Sequence, residues 1–147
     1  MKKVLFLLFS ALFVFSGCDI YTTEIVKPGV DIYTEYITVS PDEWVKNTKR
    51  EGEAGCYLYK TVPCKNIDRN VLDNGAVMAY MIDDKEGDNP LPYVFPVETK
   101  RSIILQNIRF NVKKGYITFV VEWDDSEIYE LDYKIQFKVC VFVLEKG

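Results

Sequence analysis

The chain has 147 residues, 27% charged, 48% hydrophobic and 14% aromatic, the composition of a folded globular protein rather than a disordered, collagen-like or multi-span membrane chain. It contains no histidine, which excludes Ser-His-Asp and Cys-His catalysis and any zinc site that needs imidazole. Its formal charge is −4, or −6 without the two positive charges of Lys2 and Lys3, and no basic run exceeds two residues, as at Lys113 and Lys114. Nucleic acid is therefore not an expected partner, because phosphate binding needs a basic excess or stripe.

In chain order the first feature is Lys2 and Lys3, then an apolar run over residues 4–15, then Ser16, Gly17, Cys18 and Asp19. A run of that length is too short for a membrane-spanning helix, which needs roughly 20 residues, and small residues ahead of a cysteine mark a cleavage site. The segment resembles the bacterial lipoprotein signal, with Phe15 where that signal usually carries leucine. The resemblance implies that residues 1–17 are a signal peptide and that Cys18 becomes a lipidated N-terminus. Two or more acyl chains hold a protein stably on a bilayer where one does not. The expected address is the bacterial cell envelope, at the outer rather than the inner membrane. Residues 18–33 read as the lipidated terminus and its tether, with Pro28 and Gly29 within it.

Residues 34–147 read as one β-sandwich domain. Tyr36 to Val39 form a short strand running into Ser40, Pro41, Asp42 and Glu43, a capping box with proline at the first helical position, which places Trp44 on a single helical turn. Residues 46–55 are polar and read as an exposed loop, followed by a tyrosine-rich strand over 56–62. Ile67, Val71 and Leu72 at helical spacing predict a short helical turn ended by Gly75, and residues 76–82 a strand. Residues 83–92 form an acidic loop, and Pro90, Pro92 and Pro96 limit residues 91–95 to an edge strand or an extended crossing. Residues 108–112 and 116–123 flank Lys113, Lys114 and Gly115 as a hairpin. The last strand places Tyr133, Ile135, Phe137, Val139, Val141 and Val143 on one face, with Lys134, Gln136 and Lys138 opposite. Phe142 and Leu144 interrupt the polar face, as expected of a strand central in its sheet. The expected class is all-β, an antiparallel sandwich of immunoglobulin-like or jelly-roll-like type with one or two short helical turns; a small barrel is the alternative.

The run Asp73-Asn74-Gly75-Ala76-Val77-Met78-Ala79-Tyr80, followed by Leu91-Pro92-Tyr93 and a β-rich final strand, resembles a group of small secreted lipoproteins of Bacteroidetes. The resemblance implies a lipid-anchored β-sandwich and carries no catalytic residue across.

Besides Cys18 the cysteines are Cys56, Cys64 and Cys140. An extended chain from Cys56 to Pro63 holds Cys56 and Cys64 roughly 26 Å apart, beyond the ~7 Å limit for a disulfide. Pairing of Cys140 with either stays open, against three buried thiols. The acidic loop from Asp83 to Asn89 offers oxygen ligands of the kind calcium takes, but Lys85 stands where a ligand is needed, so a solvated turn is expected and no metal or other cofactor is assigned. Glu122, Asp124 and Asp125 around Trp123 have the residue types of a carboxylate glycosidase. With Glu122 and Asp124 on one strand face and Trp123 on the other, solubilising charge is the better account, and no catalytic residue is assigned. Most of the aromatics are expected in the core or in cross-strand pairs; Tyr93, Trp123 and Tyr129 are the candidate ligand contacts. The expected function is a non-catalytic, lipid-anchored module that binds a glycan or an envelope protein. The alternatives are a structural or assembly subunit of the envelope joined through strand edges and, third, a carboxylate glycosidase.

Overall fold

The computed structural model describes residues 29–48 and 55–144; the leader, Cys18 and the middle of the predicted 46–55 loop lie outside the described residues. Two antiparallel sheets pack face to face. Strands β1 (Val30–Val39), β4 (Ala76–Asp83), β5 (Gly87–Pro90) and β9 (Ile135–Leu144) form a four-stranded sheet in the order β1-β9-β4-β5. Strands β2 (Val45–Asn47), β3 (Tyr57–Pro63), β6 (Tyr93–Glu98), β7 (Ile103–Lys113) and β8 (Tyr116–Trp123) form a five-stranded sheet in the order β2-β3-β8-β7-β6. Among the described residues the one α-helix is α1 (Arg69–Asn74). The expected sandwich is what forms, and the barrel does not.

Period-two alternation builds the core. Ile117, Phe119, Val121 and Trp123 of β8 and Ile135, Phe137, Val139 and Val141 of β9 are all buried, each set on the face its strand turns toward the other sheet. Phe119 and Phe137 stack across the interface with ring centroids 3.8 Å apart and planes 8° from parallel. Trp44 meets Phe137 edge-on at 6.5 Å. Position in the sheet explains the apolar end of β9: β1 and β4 flank it on both sides, with Phe142 in register with Ile32 and Ala76.

Several local expectations change. The first strand starts at Val30, where Val30 pairs with Leu144, so residues 30–33 of the predicted tether belong to the sheet. Trp44 follows the 3-10 turn Pro41–Glu43 in extended conformation instead of lying on it. The turn itself is held as the motif predicts: the Ser40 N–H donates to Glu43 Oε2 at 2.8 Å, and Lys60 Nζ reaches the other oxygen at 3.1 Å. Lys46 and Asn47 belong to β2, paired with Leu58 and Tyr57. The acidic loop is a hairpin, because Asp83 caps the turn by accepting the N–H groups of Lys85 (2.7 Å) and Glu86 (3.0 Å), and β5 folds back on β4. Strand β7 begins at Ile103, five residues before the predicted start. Tyr133 precedes β9 rather than opening it.

Chain crossings between the sheets set the geometry of the ends. The turn after β1 carries the chain to β2, and residues 91 and 92 carry it from β5 to β6. Helix α1 takes it from β3 to β4, its first turn capped by Asp68 Oδ1 accepting the Val71 N–H at 2.8 Å. Gly75 ends it, and a Cβ there would lie 2.2 Å from the Phe142 carbonyl oxygen. Close approach to β9, not backbone conformation, requires glycine at this position.

Candidate functional site

Between the end of β4, strand β6 and the residues leading into β9, the sandwich opens into a cleft of about 510 Å³. Its walls come from both sheets. Met81, Ile82 and Asp83 end β4, Glu86 lies in the β4–β5 turn, Tyr93, Phe95 and Pro96 come from β6, and Tyr133, Lys134 and Ile135 lead into β9. Tyr93 and Phe95 stack with ring centroids 5.2 Å apart. They share the inner face of β6, in register with the buried residues Ile108 and Gln106 of β7.

Gln106 is the one buried polar residue of the described core, 2% exposed. Its Oε1 accepts the indole N–H of Trp123 at 3.1 Å, and its Nε2 donates to the Tyr133 hydroxyl at 3.2 Å. An indole N–H is only a donor, which forces the amide oxygen toward Trp123 and the amide nitrogen toward Tyr133. The core thereby holds the Tyr133 hydroxyl at the cleft. Placing β7 at residues 108–112 hid this residue; extending the alternation Ile104, Gln106, Ile108 back to Ile103 would have shown a polar side chain on the inward face.

Acidic groups at the cleft are committed unequally. The backbone N–H groups of Glu86 and Lys85 hold the Asp83 carboxyl below the usual carboxylate range. It is thus an ionised turn cap and not a proton donor at neutral pH. On the adjoining outer face Asp88 pairs with Lys138, whose Nζ lies 4.6 Å from the centre of the Tyr80 ring; Asp88 is the main cause of a raised Lys138 pKa. Among the described residues no three Cys, Asp or Glu side chains converge as metal ligands.

The three candidate contact aromatics do not form one surface. Tyr93 lines the cleft. Trp123 is 4% exposed, so its ring is a core element rather than an open platform. Tyr129 packs edge-on against Trp123 at 5.5 Å and lines a separate depression of about 640 Å³ with residues 99–102, Asp125, Glu127 and Ile128. Its hydroxyl donates to Asp125 Oδ2 at 2.6 Å, which raises the phenol pKa. Phe95 and Tyr133 are cleft aromatics that the sequence did not single out.

The carboxylates around Trp123 are likewise divided. Glu122 accepts from Asn107 Nδ2 (2.9 Å) and Arg109 Nε (3.1 Å) on the outer face of the five-stranded sheet. Asp124 Oδ1 accepts the Leu105 N–H at 3.0 Å, and Asp125 holds Tyr129. Each serves a different neighbour. Neither Cys64 nor Cys140 is in a disulfide. Cys64 is buried, and burial pushes its thiol pKa up, whereas Cys140 sits on the outer face of β9 with its Sγ 3.9 Å from Thr34 Oγ1. Cys56 is half-buried ahead of β3.

Comparison with protein-family models, with curated proteins and with solved structures finds no match to this chain, and what it is at this level is an all-β domain of two packed antiparallel sheets.

Proposed function

We propose that the protein is a non-catalytic module, anchored to the bacterial envelope through a lipid on Cys18, that holds a glycan in the cleft between β4, β6 and the start of β9. The observation that carries this reading is the cleft's lining. Three aromatic rings, Tyr93, Phe95 and Tyr133, meet two carboxylates and the Lys134 ammonium in one concavity. Sugar rings present apolar C–H faces edged with hydroxyls, so aromatic side chains beside fixed hydrogen-bond groups match them. The commitment of Asp83 to two backbone donors favours binding over acid-base chemistry.

The anchor rests on the leader pattern and on the resemblance to small secreted lipoproteins of Bacteroidetes. Eleven residues separate Cys18 from Val30, a reach of at most about 40 Å, and Val30 pairs with Leu144 at the opposite end of β9 from Ile135 of the cleft, so the cleft lies at the end of the sandwich away from the tether. The test has two arms. Cys18→Ala should leave an uncleaved or unanchored precursor in cell fractionation; normally processed, membrane-bound Cys18→Ala protein overturns the anchor. On a glycan array the parent should retain a defined set, and Tyr93→Ala should weaken retention about tenfold or more at a nearly unchanged melting temperature. Retention of no glycan by the parent, or undiminished retention by Tyr93→Ala, overturns the cleft assignment.

A further inference from the structure

Four strands bound the two sheets, and three carry features that prevent further pairing. β2 has only three residues, with Lys46 at its centre; β5 has four and ends in Pro90; β6 contains Pro96. Short length, lysine and proline are what natural edges use to refuse a neighbour. β1 has none of these. It runs ten residues with no proline, glycine, lysine or arginine, and pairs with β9 one-to-one without a bulge. Among the described residues its other side pairs with no strand. On its outer face stand Ile32 and Tyr36, 58% and 73% exposed, large side chains for an edge left open to water.

We infer that β1 is a homodimerisation edge, pairing antiparallel with β1 of a second copy about a two-fold axis through Thr34 to make one continuous eight-stranded sheet. The registers open to such a pair are few. With the two-fold perpendicular to the sheet, residues facing each other must lie on the same face, so a residue pairs with itself at the centre and side chains match outward from it. Centring on Glu35 sets Glu35 against itself, and centring on Tyr33 sets Asp31 against Glu35 twice; like charges directly opposite destabilise. Centring on Tyr36 leaves residues 30–32 unpaired. Centring on Thr34 matches residues 30–38, with Val30 opposite Thr38, Asp31 opposite Ile37, Ile32 opposite Tyr36 and Tyr33 opposite Glu35. It combines the longest ladder with no opposed charges, and it covers the two most exposed apolar side chains of the edge with each other. Self-complementarity is what an isologous interface requires, and it is why a second copy, and not an unrelated peptide, is the occupant. The inference is independent of the glycan reading. β5 and β6 lie at the opposite side of the sandwich from β1, so the dimer leaves both clefts open at its outer ends.

Cross-linking through an introduced cysteine, in membranes of cells expressing the full-length chain with the buried Cys64 and Cys18 retained, tests it. In a Cys56→Ser, Cys140→Ser background, which removes the thiol beside residue 34, Thr34→Cys faces its own copy at about 4.5–5.5 Å between α-carbons, within disulfide range. Tyr36→Cys lies roughly 13 Å from its copy and serves as the register control. Mild oxidation should convert Thr34→Cys to a disulfide-linked dimer on a non-reducing gel and leave Tyr36→Cys monomeric, as in the background without either cysteine. Cross-linking of Tyr36→Cys instead, equal cross-linking of both, or none in either overturns the inference, the last being the outcome if another segment of the chain or a foreign strand covers β1. Sedimentation equilibrium of the unsubstituted chain in density-matched detergent guards against misfolded variants: a dimer mass is expected, and a monomer throughout the accessible concentrations refutes it.

Discussion

Replacing Gln106 by leucine isolates the hydrogen-bond relay that joins the core to the cleft. Leucine has nearly the volume of glutamine, so packing around position 106 is largely kept, and what changes is polar satisfaction. The Trp123 indole N–H, in a side chain only 4% exposed, loses its acceptor at 3.1 Å. Water has little access to it, and stranding a buried donor costs about 1–3 kcal/mol. The Tyr133 hydroxyl also loses its partner, but Tyr133 is an exposed residue, so water replaces the amide there at small cost. For a domain of this size the net loss corresponds to a fall in melting temperature on the order of 4–12 °C. Urea unfolding of the parent, Gln106→Leu, Trp123→Phe and the double variant forms a cycle. Removing both partners at once strands nothing, so the double variant should be more stable than the sum of the single effects by about 0.5–3 kcal/mol. Parent-like stability of Gln106→Leu, or simple additivity in the cycle, would refute the view that this amide satisfies the indole.

Two further outcomes follow from particular contacts. Gly75→Ala places a Cβ 2.2 Å from the Phe142 carbonyl oxygen and 3.1 Å from that of Val71; backbone atoms yield little, so the overpacking loss of about 1–3 kcal/mol should outweigh the entropic gain of about 0.4–1 kcal/mol from removing a glycine, and an unchanged or raised melting temperature contradicts this. Glu43 has its carboxyl pKa lowered first by the Ser40 backbone N–H and then by Lys60. A depressed folded-state pKa stabilises above the unfolded value and ceases to do so as pH falls through the folded one. The stability difference between the parent and Glu43→Gln should therefore be fullest near neutrality and shrink as pH falls through and below the ordinary carboxylate range; a pH-independent difference contradicts the assignment.

Local chemistry determined much of this protein. Alternation from Ile135 to Val141 marked the inward face of β9, and Gly115, with φ +80, makes the β7–β8 turn that its position between two apolar runs predicted. Ser40 to Glu43 made the predicted turn because its hydrogen bonds close within four residues. Expectations failed where the deciding contact is distant in sequence. The N-terminal extension of β1 over residues 30–33 depends on β9, more than a hundred residues away, and nothing in Val30 to Tyr33 alone distinguishes a strand from a tether. Trp123 looked like a platform because residue type is local, whereas its burial depends on the opposite sheet and on Gln106. The cleft is the clearest case. Tyr93, Glu86 and Tyr133 come from three separate segments, and only the crossing from β5 to β6 and the return of β9 beside β4 bring them to one opening. Sequence pattern specifies which side of a strand is apolar, because that is set residue by residue. Which strands become edges, and what lies between them, is set by pairings among distant segments, and those exist only in the folded chain.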